Sequence, residues 1–144
     1  MVNVTQIGIF KLSPKFPVHG RCKITVDNNI IIIDALGPWN LEFFEILHTN
    51  LHQTVQDNFK NKNYGIVVLL RGETLTTHEG LKYHLYKVRQ GNAKAIAINM
   101  IHSAYALTTQ MQFEAVYNKA GLKNKFFSDT SSAKRWINNV LLSQ

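Results

Sequence analysis

The side chains best able to do chemistry in this sequence are its six histidines and its single cysteine. His48 and His52 are four residues apart, so on a helix both could face one metal ion. The zinc-protease pattern H-E-x-x-H would need Glu after the first His, but Thr49 stands there. No Cys and no carboxylate at ligand spacing completes the set, so the pair reads either as a ligand pair or as two helix-flank histidines. His78 and His84 pose the same choice, and His78 falls in a helical first turn, where a carboxylate would be favoured over an imidazolium. His102 sits at a strand end but has no predictable partner, and a general base needs one. Cys22 lies early on a strand candidate, with no helix N-terminus to lower its pKa. It reads as a small buried apolar residue rather than a nucleophile.

The familiar reactive motifs are absent. Neither G-x-x-x-x-G-K-[ST] nor G-x-G-x-x-G occurs, and there is no G-x-S-x-G. No catalytic set of base, nucleophile and electrophile stabiliser can be assembled, which argues against an enzyme. The densest run of functional groups is Arg71, Glu73, Thr74, Thr76, Thr77, His78 and Glu79. It reads either as a recognition loop on a rigid scaffold or as an ordinary helix start, with Thr76 as N-cap and Glu79 three residues on. The second reading leaves Arg71, Glu73 and His78 without a role. Trp39, beside Pro38 in another loop, either walls a pocket or anchors a partner, or else lids the core. Asn40 after it fits a helix N-cap.

These residues need elements to position them. Residues 2–10 alternate well enough for a strand, and Pro14 and Pro17 set that arm (residues 1–19) apart from a domain at 20–144. Lys23–Val26 and Ile30–Ala35 are strand candidates around Asp27-Asn28-Asn29, residues suited to a tight hairpin. Phe44, Leu47, Leu51 and Val55 recur at helical spacing. Tyr64–Leu70 is an aliphatic strand. Leu81, Leu85 and Val88 mark the buried face of a second helix, closed by Gly91. Lys94–Ile101 forms another strand. Ser103 opens a third helix with Leu107, Met111 and Ala115 on one face. Lys125–Phe127 is a short last strand. Asp129 or Ser131 caps a fourth helix, with Ala133, Trp136, Ile137, Val140 and Leu141 inward. The order after the arm is ββαβαβαβα, which means an α/β domain with a mixed, mostly parallel sheet of four to five strands and about four helices. Ligands in such sheets sit beyond the strand C-terminal ends, here the loops 37–40, 71–79 and 102–103.

The chain has 144 residues, enough for one domain with a full core. Forty-five per cent apolar residues and three prolines exclude disorder and low complexity. One cysteine excludes an internal disulfide and a Cys-cluster zinc site. No apolar run approaches the 18 residues of a spanning helix, and no export signal is visible, so the expected location is the cytoplasm. The net charge of +7 is concentrated in residues 76–144, which hold 9 basic against 3 acidic side chains. Such a surface can attract nucleic acid, anionic lipid or an acidic protein, or it can serve solubility alone.

Three segments resemble the STAS superfamily, specifically the SpoIIAA-like bacterial STAS domains. They are Gly37-Pro38-Trp39-Asn40-Leu41-Glu42, the stretch Val67–Leu81, and Phe126-Phe127-Ser128-Asp129 with Ala133 and Trp136. The resemblance spans residues 20–142. It implies a sheet with helices on one side, no catalytic activity and no cofactor, and binding to a protein partner. In the anti-sigma factor antagonists of this superfamily a serine at the start of the second helix is phosphorylated, within D-L-S-G-x-x-x-x-D-S-S-G-L. Over Leu69–Leu81, Gly72, Gly80 and Leu81 match, whereas the two Asp positions hold Leu69 and Thr77 and the serine position holds Glu79. A carboxylate cannot accept phosphate from a serine kinase, so that switch is absent here, although Thr76 or Thr77 could still be phosphorylated.

The leading expectation is a non-catalytic regulatory or interaction module binding a partner through Trp39, Asn40, Arg71, Glu73, Thr76, Thr77, His78 and Glu79. The alternative is a small-ligand or lipid-binding protein with a pocket at the strand C-terminal ends, its basic half drawing in an anionic head group. Nucleic-acid binding through Lys119, Lys123, Lys125, Lys134 and Arg135 ranks third, because aromatic residues are poorly interleaved with them. The arm could add a strand to its own sheet or pair two copies into a homodimer.

Overall fold

The computed structural model describes residues 16–144. The arm strand read at residues 2–10 lies outside them. The chain runs β1 (Arg21–Asp27), β2 (Ile30–Leu36), α1 (Leu41–Asn58), β3 (Gly65–Gly72), α2 (His78–Gln90), β4 (Ile96–Ser103), α3 (Ala106–Lys119), β5 (Asn124–Phe127), α4 (Thr130–Leu142). The described sheet has five strands in the order β1-β2-β3-β4-β5. β1 pairs antiparallel with β2, and the rest are parallel. The hairpin closes with Asp27 opposite Ile30, and Asn28 supplies the positive φ of 54° that the two-residue turn demands.

Side-chain alternation divides the core in two. Ile31, Ile33 and Ala35 of β2 join Ile66, Val68 and Leu70 of β3 beneath α1 and α3. Ile30 and Val67 face the other way, toward Ala133, Ile137 and Val140 of α4. The family likeness implied helices on one side, but α4 covers the opposite face. The reason is topological. Helices α1 to α3 each join parallel neighbours laid down in one direction, and right-handed crossovers put all three on the same side. α4 follows the last strand, has no crossover to make, and covers the apolar face that remains.

The two layers pack at different depths. α4 lies close on β3 and β4, over the small residues Gly65, Ala95 and Ala97. A Cβ on Gly65 would come within 2.5 Å of Ile137 Cγ2. On the other side α2 packs on α1 and α3 while its backbone stays clear of the strands. That stand-off leaves room between α2 and the sheet.

The third helix corrects the sequence reading. Leu107 and Met111 do share a face with Ala115, but that face is solvent, with exposures of 75% and 65%. The inner set is Thr109, Phe113, Val116 and Tyr117. Ser103 ends β4 instead of capping the helix, and Tyr105 at the N-cap makes no side-chain cap bond. Asp129 caps α4, accepting from Ser132 N–H.

Candidate functional site

The loops at the strand C-terminal ends meet one another. Trp39 N–H donates to Leu75 O, Thr77 N–H to Trp39 O, Gly37 N–H to Arg71 O, and Ala104 N–H to Gly72 O. Gly37 is required at this seam, because a Cβ there would stand 2.1 Å from Glu73 O. Thr74, fully buried, ties the third loop in: its hydroxyl lies 2.5 Å from those of Ser103 and Thr109, and Thr109 Oγ1 also donates to Thr74 O. The three loops therefore form one knitted surface.

Most residues of the expected partner site have structural work here. Asn40 caps α1 by accepting from Phe43 N–H, and it clasps the incoming chain through His19 N–H and Pro17 O. Arg71 pairs with Asp34 across β2 and β3, with Nε to Oδ1 at 2.8 Å. The N-cap of α2 is Thr77, not Thr76: its hydroxyl accepts from Gly80 N–H. Thr76 instead bridges to Trp39. Glu73, His78 and Glu79 remain exposed at the start of α2. His102 is exposed in register with Arg71.

The space beneath α2 is a cavity of about 440 Å³. Its walls are apolar side chains of β2, β3, α1 and α3, among them Ile33, Leu47, Val68 and Phe113. Its exposed lining is confined to the far end, at His52 and Gln56 of α1, at Arg89–Asn92 where α2 ends, and at Gly121 after α3. The cavity thus opens where the parallel strands begin, opposite the end expected for a pocket. Its closed end reaches Trp39, which is 3% exposed, and no partner for the buried indole N–H exists among the described residues. Trp39 packs on Phe43 and Phe113 and also lines the cavity.

A polar chain crosses the lining. His48 Nε2 lies 2.8 Å from His84 Nδ1, and His84 Nε2 lies 3.1 Å from the Tyr117 hydroxyl. Burial, aided by the Lys87 ammonium, lowers the His48 pKa to about 4. Burial and then the His48 charge hold His84 well below the ordinary range, and burial raises Tyr117. Both imidazoles are therefore neutral at pH 7. A neutral imidazole donates from one nitrogen only. If His84 donates to Tyr117, the tyrosine hydroxyl keeps a spare proton. If Tyr117 donates to His84, the spare N–H passes to His48 Nδ1. Either way the chain ends in one surplus donor.

The sequence did not single out this trio. Spacing pairs His48 with His52 and His84 with His78, but His48 is buried against His84 while His52 and His78 are exposed. Tyr117 had no signal beyond helical spacing from Phe113. Cys22 is half-buried, and burial lifts its thiol to about 11, far from a reactive thiolate. Among the described residues no group of three or more His, Cys, Asp or Glu is placed to hold a metal ion. No described helix is long and apolar enough to cross a membrane. Of the basic residues considered for nucleic acid, Lys134 pairs with Asp27 and Lys125 lies over the Phe127 ring.

No family model and no curated protein matches the chain. Among solved structures it is similar to the crystal structure of an uncharacterized protein of the DUF3478 family, with a SpoIIAA-like fold, from Shewanella loihica PV-4. The TM-score is 0.58 and the identity 14%, over 87% of this chain and 98% of that one. With the five-stranded mixed sheet and its four helices, the likeness establishes that the chain carries a SpoIIAA-like, STAS-type α/β fold.

Proposed function

We propose that the protein is a non-catalytic binding module that holds a small, mainly apolar molecule under α2. The observation that carries this reading is the 440 Å³ cavity, in the size range of small-molecule sites, walled by apolar side chains and backed by a buried indole N–H without a partner among the described residues. The His48–His84–Tyr117 chain adds a placed polar group of the kind that orients a ligand. The test is binding of Nile red, a neutral dye, to the wild-type chain and to Leu51→Trp. Leu51 is a half-buried part of the wall, so a larger ring there fills the cavity. Saturable binding by the wild type and its loss in the variant, with an unchanged melting temperature, is the expected result. Failure of the wild type to bind would overturn the reading.

A protein partner at the start of α2 is the second reading, favoured by the exposed Glu73, His78 and Glu79 on a loop whose backbone is pinned to the Gly37–Trp39 turn. Glu79 holds a negative charge where the anti-sigma factor antagonists that the sequence resembles carry the switch serine, so partner binding here would not be controlled by phosphorylation at that position. α2 would connect the two readings, since it bears this surface at one end and roofs the cavity along its length. Affinity capture with a Glu73→Ala/His78→Ala/Glu79→Ala variant tests it. An unchanged set of captured proteins would count against the loop.

A further inference from the structure

The rim of the cavity has a sign. Lys87 and Arg89 line it directly. Around them, each loop leading back into the sheet at this end is basic: Lys60 and Lys62 before β3, Lys94 before β4, Lys119 and Lys123 on either side of the turn before β5. None of these cations is ion-paired among the described residues, where the only salt bridges are Arg71–Asp34 and Lys134–Asp27. Asp57 is the acidic side chain closing α1 at this end, and it is occupied with Gln53. Lys87, Arg89 and Lys119 also complement their helix C-termini. Lys60, Lys62, Lys94 and Lys123 lie beyond the helices, where that explanation does not reach.

An apolar interior with a cationic mouth fits one kind of molecule. We infer that the ligand is a single-chain anionic amphiphile, its hydrocarbon body inside the cavity and its acidic oxygen head group, carboxylate or phosphate, at Lys87 and Arg89. The inference rests on the proposed ligand-binding function and adds the charge and orientation of the ligand. The interior supports this orientation. The spare donor of the histidine–tyrosine chain is a neutral group in a buried site, where a full negative charge would be costly. The charge therefore belongs at the mouth, where Lys87 is half-buried and Arg89 exposed.

The test displaces Nile red from the full chain with four C12 probes: laurate, dodecyl phosphate, dodecanol and dodecylammonium. The account expects laurate, dodecyl phosphate or both to bind roughly tenfold more tightly than dodecanol at low salt, and dodecylammonium more weakly than dodecanol. Lys87→Gln/Arg89→Gln should bring the anionic probes down to the level of dodecanol and leave dodecanol itself unchanged. Equal binding of all four probes would overturn the inference while leaving a neutral apolar ligand in place. Tighter anion binding that survives the double substitution would overturn the placement of the head group. Binding of none of the probes, with Nile red also failing, would remove the ligand-binding function as well.

Discussion

His48 and His84 face each other across the α1–α2 interface at 2.8 Å, joined by a hydrogen bond that exists only while at least one imidazole is neutral. Their environment enforces neutrality, so the bond carries a pH dependence. An unfolded histidine titrates near 6.5, whereas folded His48 titrates at about 4. Between those values the unfolded chain binds more protons, so stability falls as pH drops from about 6.5 toward 4. Urea midpoints at pH 7.5 and pH 5 should show the loss, and His48→Phe/His84→Phe should flatten the difference. The ring shifts of both histidines should also stay constant from pH 8 to pH 6. Titration of either within that range would contradict the buried neutral pair.

The two tryptophans report on opposite faces of the sheet. Trp39 walls the cavity, while Trp136 of α4 packs on Phe127. A ligand under α2 should therefore change the fluorescence of Trp136→Phe, which retains Trp39, and leave Trp39→Phe silent. The reverse pattern would put the ligand on the α4 side.

Three glycines should respond differently to alanine. Gly65→Ala pushes a Cβ onto Ile137 and should cost about 1–3 kcal/mol. Gly37→Ala should cost more, because the obstacle is the backbone oxygen of Glu73, which cannot rotate away. Gly91→Ala meets its nearest neighbour at 3.5 Å and should stay within about 0.5 kcal/mol. Denaturant midpoints give the order directly, and parity of Gly37→Ala with Gly91→Ala would refute the loop seam.

The outward face of α3 should tolerate polarity. Leu107→Ser/Met111→Ser is expected to change stability by no more than about 0.5 kcal/mol per site. Phe113→Ala, on the inner face, should cost about 3–5 kcal/mol. A large loss from the first variant would mean that the outward face is covered.

The strands and their order were legible because buried parallel strands write continuous aliphatic runs, as Ile30–Ile33 and Ile66–Leu70 do. The inner face of α3 was not, because two apolar sets compete at helical spacing. The winning set includes Thr109, a polar residue held inside by Thr74, and hydropathy alone does not reward that choice. The cavity was legible only in part. Trp39 and the basic second half pointed to it, but its mouth lies at the other end of the sheet. The depth of α2 above the strands leaves no local pattern. His48 and His84 are 36 residues apart, and nothing in either neighbourhood announces the other.

Isotope-filtered NOE spectroscopy of the methyl-labelled chain with laurate tests the cavity most directly. Contacts from the laurate chain to the methyl groups of Ile33, Leu47 and Val68, with none to Val67 or Ile137, are the predicted result. Contacts to Val67 and Ile137 instead, or no intermolecular contacts at saturating laurate, would contradict it.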